Sequence, residues 1–259
     1  MNSDYLKIAI LLAYKAGKII IKNFRSDIEV SWKKDTSPVT KADLEINKLV
    51  IREINKNYPT HSILAEEESD LHENSEFLWV CDPIDGTYPF SYGVPTCVFS
   101  LALVKEGEPI LGVIFDPFLN RLYTAEKDKG AYLNNKRIKV SSTKDLEKSL
   151  IGICHWKGSG FNILKFVDNF RSTINVQSTI YMGSLVAAGS LDANIFPGKN
   201  AHDTATQKII IEEAGGKVTD ILGKPQKYDK EVNGILATNS HLHADILEII
   251  ATSNNISLD

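Results

Sequence analysis

The sequence predicts a mixed protein of the α+β or layered α/β class. Three observations support this prediction. An amphipathic helical pattern opens the chain, a run of apolar and partly β-branched segments follows, and strands alternate with helices in the second half. The chain has 259 residues, enough for one large domain or two small ones, and no internal repeat or long linker divides it.

The first quarter of the chain predicts two helices. Residues 4–24 form the first, because apolar side chains recur at spacings of three and four: Ala9, Leu12, Ala13, Ala16 and Ile20. A short extended segment over 28–32 and a polar loop over 33–38 follow. Thr40 then begins a second helix that runs to about Asn57, where Tyr58 and Pro59 end it.

The middle of the chain predicts a meander of strands separated by turn residues such as Gly107 and Pro117. The predicted strands cover residues 63–64, 77–81, 96–105 and 110–115, and Asn134 and Asn135 form a hairpin turn before 137–140. The second half predicts strands at 150–154, 174–177, 193–196 and 234–237, with helices at 161–170, 184–190, 203–214 and 242–251. Gly215 and Gly216 end the third of these helices.

Composition and charge exclude several classes of protein. The net charge of −4 argues against a nucleic acid partner, because affinity for a polyanion depends on clustered Lys and Arg. Three cysteines are a poor disulfide framework and favour a reducing compartment. No apolar run approaches the 18 residues that a membrane-spanning helix needs, and no signal-peptide pattern opens the chain. We therefore expect a cytoplasmic protein with no membrane or nucleic acid partner.

The most informative segment covers residues 79–87, where an apolar strand runs directly into two carboxylates, Asp82 and Asp85. Pro83 fixes the backbone between them, and Gly86 permits a tight turn before Thr87. Carboxylates at a strand end are suitable ligands for Mg²⁺, and the backbone amides at a helix start suit a phosphate. The alternative is an acidic turn that only caps the next helix. The combination of strand, Pro, Gly and Thr favours the functional interpretation.

A rival family is excluded by one residue. Haloacid-dehalogenase phosphatases also place Asp-Gly-Thr after a strand, but they need a nucleophilic Asp two residues before that Asp. Here the position is Pro83, which cannot attack phosphorus.

The segment instead closely resembles the DPIDGT motif of the inositol monophosphatase superfamily, which includes fructose-1,6-bisphosphatase and 3′-phosphoadenosine 5′-phosphate phosphatase. Three further segments resemble motifs of that superfamily in the same order. They are residues 38–43, 61–67, with Ala65 where Gly is usual, and 202–205 followed by 213–216. The resemblance covers about residues 33–220.

The resemblance implies a layered αβαβα sandwich and a role for each matching residue. The metal ligands would be the side chains of Glu66, Asp82, Asp85 and Asp203 and the backbone carbonyl of Ile84. Asp43 and Thr87 would orient and activate the attacking water. The amides of Gly86 and Thr87 would hold the phosphate, and further substrate contacts would come from Gly183, Ser184 and Phe196.

Several of these residues also have a simpler interpretation. Thr40 and Asp43 match a capping box, and Asp203 alone would be an ordinary first-turn residue. Glu66 alone belongs to a solvated acidic run, and Gly183 with Ser184 would open a helix. If the carboxylates converge, each pair about 4 Å apart costs about 4 kcal/mol at an effective dielectric of ~20, so protons or cations must enter.

The predicted function is therefore hydrolysis of a small sugar, polyol or nucleotide phosphate by direct attack of a metal-activated water. Two or three Mg²⁺ ions, inhibition by Li⁺ and a homodimer are implied by the resemblance. Residues 1–145 would form the metal-binding part, and 146–259 would add Asp203 and the leaving-group pocket. The substrate candidates are inositol monophosphate, fructose 1,6-bisphosphate, 3′-phosphoadenosine 5′-phosphate, histidinol phosphate and NADP.

Three departures from the superfamily pattern motivate a second hypothesis. Pro89 stands where Asn is frequent, His202 replaces Trp, and Phe196 replaces a Glu that contacts inositol hydroxyls. Phe196 would instead pack on an apolar or aromatic leaving group. The second hypothesis is a catalytically weak relative that binds a phosphorylated metabolite or acts as a dimeric regulator.

Overall fold

The computed structural model describes residues 3–24, 30–33, 37–156, 162 and 166–254. In that part of the chain two large sheets alternate with layers of helices. None of the helices in these ranges combines the length and hydropathy that a bilayer crossing requires.

The two N-terminal helices form as the apolar spacing predicts. Helix α1 spans Asp4–Asn23, and the Ser3 hydroxyl caps it by accepting a hydrogen bond from the Leu6 amide at 3.1 Å. All five side chains of the predicted apolar stripe are buried. Helix α2 spans Lys41–Asn57. Both helices pack on one face of the first sheet, and an added Cβ at Gly17 would lie 2.4 Å from the Phe115 ring.

The first sheet has seven strands in the order β3-β4-β5-β6-β7-β8-β9. Strands β3 and β4 are parallel, and every later pair is antiparallel. The bounds are β3 Ser62–Ala65, β4 Phe77–Asp85, β5 Val98–Lys105, β6 Glu108–Asp116, β7 Arg121–Glu126, β8 Gly130–Leu133 and β9 Lys136–Arg137. A separate pair, β1 Val30–Trp32 and β2 Pro38–Thr40, precedes α2.

The second sheet has five strands in the order β11-β10-β12-β14-β13 and mixed directions. Its strands are β10 Leu150–Ile153, β11 Ser172–Ile174, β12 Ala193–Phe196, β13 Lys217–Thr219 and β14 Ile235–Thr238. The remaining helices are the short α3 Thr87–Ser91, then α4 Thr179–Ala187, α5 Ala205–Glu213 and α6 His243–Asn254. One-turn 3₁₀ helices cover Leu146–Lys148 and Ala201–Asp203.

The packing confirms the predicted αβαβα layering. Side chains of α4 and α5 share one apolar cluster with β6 and β7 on one side and with β12 and β14 on the other. Side chains of α6 pack with β10 and β12 on the far face of the second sheet. At Gly112 of β6 an added Cβ would lie 2.5 Å from Ile209 of α5, so this helix lies directly against the first sheet. The division at residue 145 stays a prediction.

Several local predictions were wrong or incomplete. The helix predicted at 184–190 is α4, which begins at Thr179, so Gly183 and Ser184 lie inside it and do not open it. Thr179 and Ile180 are β-branched and therefore favour a strand by local preference. In the structure, Ser178 is instead the N-cap residue of the helix that follows. The strand predicted at 174–177 is shorter and ends at Ile174.

Four observed strands were not predicted: β2, β7, β8 and β13. Each is three to six residues long and exists through pairing with a neighbour, which local patterning does not reveal. Of the helix predicted at 161–170, residues 161 and 163–165 lie outside the described residues, and the described remainder is helical only at 166–167.

Candidate metal and phosphate site

The irregular end of β4 creates the site. Strand β4 pairs with β5 in register as far as Asp82 opposite Ser100, and the register then shifts so that Asp85 lies opposite Val98. Pro83 lies in this irregular segment and cannot donate a ladder hydrogen bond. Gly86 follows at φ 91°, and an added Cβ there would lie 2.9 Å from Ser178. A glycine is therefore required at the turn.

Three carboxylates converge at this point. Oxygen atoms of Asp82, Asp85 and Asp203 all lie within 4.8 Å of one another, with Asp203 supplied by the 3₁₀ turn before α5. Among the described residues, Asp82 Oδ1 is buried and has no hydrogen-bond partner. A buried carboxylate oxygen without a donor is costly unless a cation accompanies it, so the geometry fits a metal ion.

Burial and mutual repulsion raise the pKa of each member of the cluster. The pKa of Asp82 rises well above its ordinary value, first through burial and then through Glu66, Asp85 and Asp203. The pKa values of Asp85 and Asp203 rise to about 7, with burial again the largest cause. Without a cation, these groups therefore hold protons at a pH where exposed aspartates are ionised.

Asp85 is held in place by the start of helix α4. Its carboxylate accepts hydrogen bonds from the Ser178 hydroxyl and from the backbone amides of Thr179 at 3.1 Å, Ile180 at 2.8 Å and Tyr181 at 3.1 Å. Asp85 thus joins the first sheet to the second half of the chain. The sequence interpretation missed Ser178, although a Ser-Thr pair before an apolar run is an N-cap signal.

Glu66 lies just beyond β3 and already has a positively charged neighbour. The Lys33 ammonium lies 2.7 Å from Glu66 Oε1 and 2.7 Å from Glu67 Oε1. Burial lowers the pKa of Lys33, but its attraction to Glu66 and the hydrogen bonds to both glutamates outweigh burial and raise it. The ammonium therefore stays charged and offsets part of the negative charge of the site.

Asp43 serves both of the roles that its sequence pattern left open. One carboxylate oxygen, Oδ2, accepts hydrogen bonds from the amide and the hydroxyl of Thr40, as in a capping box. The other, Oδ1, lies 3.1 Å from the Thr87 hydroxyl, which also lies 2.8 Å from the Ile84 carbonyl oxygen. Burial, offset in part by Thr40 and reinforced by Glu66, raises the pKa of Asp43 to about 7.

A cavity of about 160 Å³ opens over these groups. Of the residues predicted for the site, eight line the cavity: Glu66, Asp82, Ile84, Asp85, Gly86, Thr87, Phe196 and Asp203. Asp43 is buried behind Thr87. Gly183 packs against Gln207, and the Ser184 hydroxyl donates to the Tyr181 carbonyl at 2.7 Å, so neither is among the lining residues. The sequence interpretation missed Tyr88, Cys154, Gln177 and Thr179, which also line it.

The residues that depart from the superfamily pattern lie around the same site. His202 Nε2 is 3.8 Å from Asp203 Oδ2, and burial lowers the pKa of this imidazole. Pro89 is buried within α3, and Phe196 ends β12 at the cavity wall. Two of the three departures, His202 and Phe196, therefore lie beside the carboxylate cluster.

The fold and the carboxylates define a layered α+β protein with a site able to bind metal ions. The family model that matches is the inositol monophosphatase family, and it covers residues 1–255. The chain belongs to the inositol monophosphatase family, a group of phosphoric monoester hydrolases.

Three relatives illustrate the similarity. Inositol monophosphatase 1 of Solanum lycopersicum is 33% identical, over 98% of this chain and 97% of that protein. Fructose-1,6-bisphosphatase/inositol-1-monophosphatase of Thermotoga maritima is 32% identical, over 95% of this chain and 96% of that protein. A solved Thermotoga maritima IMPase superimposes with a TM-score of 0.88 at 31% identity, covering 98% of this chain and 99% of that one. These matches confirm the predicted family and fold.

Proposed function

We propose that the chain catalyses Mg²⁺-dependent hydrolysis of a small sugar, polyol or nucleotide phosphate to the free alcohol and inorganic phosphate. The observation that carries this proposal is the cluster of Asp82, Asp85 and Asp203 with its unpartnered buried oxygen. Its position at the Gly86–Thr87 turn, in a chain of the inositol monophosphatase family, supports a phosphate as the ligand.

The donor set is suited to two or three Mg²⁺ ions. The groups that would hold them are the carboxylates of Glu66, Asp82, Asp85 and Asp203 and the carbonyl oxygen of Ile84. When bound, such ions neutralise phosphate charge, acidify water and stabilise the leaving oxygen. Without them, the cluster offers no positive charge to a phosphate dianion, and where its aspartates ionise it repels one. A requirement for divalent metal follows.

Asp43 and Thr87 are suited to positioning the attacking water. The Asp43 carboxylate is fixed by Thr40 on one oxygen and faces Thr87 with the other. A hydroxyl donating to that carboxylate turns its own lone pairs toward the cavity, where it accepts a proton from water. Burial raises the pKa of Asp43 above that of an exposed aspartate, which suits this carboxylate to take up the proton through Thr87. The reaction releases the free alcohol together with inorganic phosphate, and no bond forms between protein and phosphorus.

The direct experiment is phosphate release from a panel of esters, with Mg²⁺ and with a chelator. The panel contains the five candidate substrates, from inositol monophosphate to NADP. We expect release with Mg²⁺ and its loss in chelator, and inhibition by Li⁺. Asp229→Asn is the matched control for substitutions of the cluster aspartates and should keep full phosphate release, because Asp229 is exposed and remote in sequence from the cluster. Equal release in chelator, or no release from any ester, would contradict the proposal and favour the binding-protein alternative.

A homodimer and a cytoplasmic location complete the proposal. Sedimentation equilibrium should give twice the mass of one chain, and a single-chain mass would contradict the dimer. The net charge of −4 supports the absence of a nucleic acid partner.

A further inference from the structure

The wall of the cavity beside Asp203 is aromatic. Phe196, the last residue of β12, lines the cavity together with the carboxylates. Its ring is packed closely against Gly198, where an added Cβ would lie 2.1 Å from Phe196 Cζ. Position 198 must therefore be glycine for the ring to lie as it does. The local backbone thus holds Phe196 in this orientation.

Trp156 is not one of the cavity-lining residues, but it packs on Phe196, which is, and it reaches solvent. The indole ring packs on Phe196 with centroids 5.6 Å apart and an angle of 42° between the planes. Trp156 keeps 44% of its surface exposed, which is unusual for a large aromatic side chain already packed on a neighbour. A ligand that leaves the cavity on this side would contact the open part of the indole.

Two polar side chains that line the cavity, Thr179 and Gln177, have hydrogen-bond partners within the protein. The Thr179 hydroxyl accepts from the side-chain amides of Asn194 at 3.1 Å and Gln207 at 3.2 Å. The Gln177 amide donates to the His155 carbonyl at 2.7 Å. Cys154 contributes a buried thiol, and burial raises its pKa well above the ordinary value, so it is neutral. This wall is better suited to a flat apolar group than to a ring of hydroxyls.

We propose that Phe196 and Trp156 form an aromatic platform that selects phosphate esters whose alcohol carries a planar aromatic ring, such as a nucleoside. The proposal rests on the phosphatase function proposed above and names its substrate class. The metal-binding carboxylates would hold the phosphate, and the exposed part of the Trp156 indole, supported from behind by the buried Phe196 ring, would stack on the aromatic ring of the alcohol. Trp156 and Phe196 are specificity-determining residues in this proposal and take no part in the chemistry.

The kinetic test compares adenosine 5′-monophosphate with ribose 5-phosphate, which share the ester and sugar but differ in the base. We expect kcat/KM with Mg²⁺ to be about tenfold to a hundredfold higher for the nucleotide, the range for one base stacked on an aromatic side chain. Trp156→Ala should reduce this ratio toward one, and Trp156→Phe should keep part of it. Equal kcat/KM for the two esters in the wild type would overturn the proposal.

A matched control separates this effect from a general loss of packing. Tyr14 is 43% exposed and packs on Phe115 with ring centroids 5.0 Å apart, but it lies on α1, outside the residues that line the cavity. Tyr14→Ala should leave the ratio of the two kcat/KM values at the wild-type figure. If it lowers the ratio as much as Trp156→Ala does, the platform is wrong.

A binding measurement distinguishes failure of the platform from failure of the phosphatase proposal. Adenosine, the alcohol product, should quench tryptophan fluorescence saturably in the wild type, whereas ribose should not. The quenching should disappear in Trp156→Phe, which keeps Trp32 and Trp79. No phosphate release from either ester, together with Trp156-dependent quenching, would refute the phosphatase and support the platform. Absence of quenching would overturn the platform.

Discussion

Asp82, at the floor of the cavity, and Asp85, at the junction of β4 with α4, differ sharply in their hydrogen bonding, although only two residues separate them on one strand. Asp85 accepts hydrogen bonds from four donors at the start of α4, whereas Asp82 Oδ1 has none among the described residues. Both side chains are buried. The donors offset part of the cost of burial at Asp85, and the pKa of Asp82 is raised further.

This difference separates two tasks that a carboxylate can perform. Asp85 fixes the position of α4 relative to the first sheet while it presents an oxygen to the cluster. Asp82 contributes little to holding the fold and is left in need of a cation. Substitutions at the two positions should therefore separate activity from stability.

The largest expected effect is the loss of activity in Asp82→Asn. The amide removes a negative ligand from the cation cluster, and such ions supply several kcal/mol of charge stabilisation, so kcat/KM should fall by about 10³ or more. The free energy of unfolding in chelator at pH 8 should not fall, because Asp82 Oδ1 makes no hydrogen bond that the amide would lose. Phosphate release and thermal melting test the two statements, and normal activity at limiting Mg²⁺ would contradict the assignment.

The metal-free chain should lose stability as pH rises from about 4 to about 7. The pKa values of Asp43, Asp85 and Asp203 rise from 3.8 to about 7 on folding, mainly through burial. Over that range the folded chain holds protons that the unfolded chain has released, so the free energy of unfolding decreases. For one group, a pKa shift of this size corresponds to about 4 kcal/mol in the free energy of unfolding.

Urea unfolding in chelator across this pH range measures the effect, and added Mg²⁺ should restore more stability at pH 8 than at pH 5. A free energy of unfolding that rises with pH would show that the cluster does not dominate the titration.

Asp85→Asn should reduce stability where Asp82→Asn does not. The amide cannot accept every hydrogen bond that α4 donates, so the free energy of unfolding in chelator should fall by about 1–3 kcal/mol. Activity should fall as well, because α4 and the cluster lose their common support. Denaturant unfolding of both variants, measured side by side, checks the comparison. If Asp82→Asn and Asp85→Asn are equally stable, Asp85 supports the fold no more than Asp82 does.

The smallest expected effect is that of Ser178→Ala. The variant removes the hydroxyl that donates to Asp85, and one lost hydrogen bond costs about 1 kcal/mol. Ser184→Ala is the matched control, since the Ser184 hydroxyl lies in the same helix and donates to the Tyr181 carbonyl. The control should cost less stability by thermal melting. If both variants lose the same stability, the hydrogen bond from Ser178 to Asp85 contributes no more than the one from Ser184 to Tyr181.

Much of the metal-binding half of the site was predictable, because its ligands lie within short motifs whose residue types limit the chemistry. The spacing of Asp82, Asp85 and Gly86 indicates a strand end with a tight turn, and the structure confirms that arrangement.

The aromatic platform was only partly predictable. Phe196 was recognised as a departure, but Trp156 lies 40 residues earlier and outside every motif that the sequence analysis used. Proximity across that distance depends on how β10 and β12 pair.

By itself, the sequence determined the family, the layered fold, the apolar face of α1 and which carboxylates are candidate metal ligands, because periodicity and motif chemistry are local properties. Only the tertiary structure decided which partner each carboxylate meets. The start of α4 at Thr179, the donors around Asp85 and the contact of Lys33 with Glu66 all join segments far apart in the chain. Such contacts arise when sheets and helices pack together, and no local pattern encodes them.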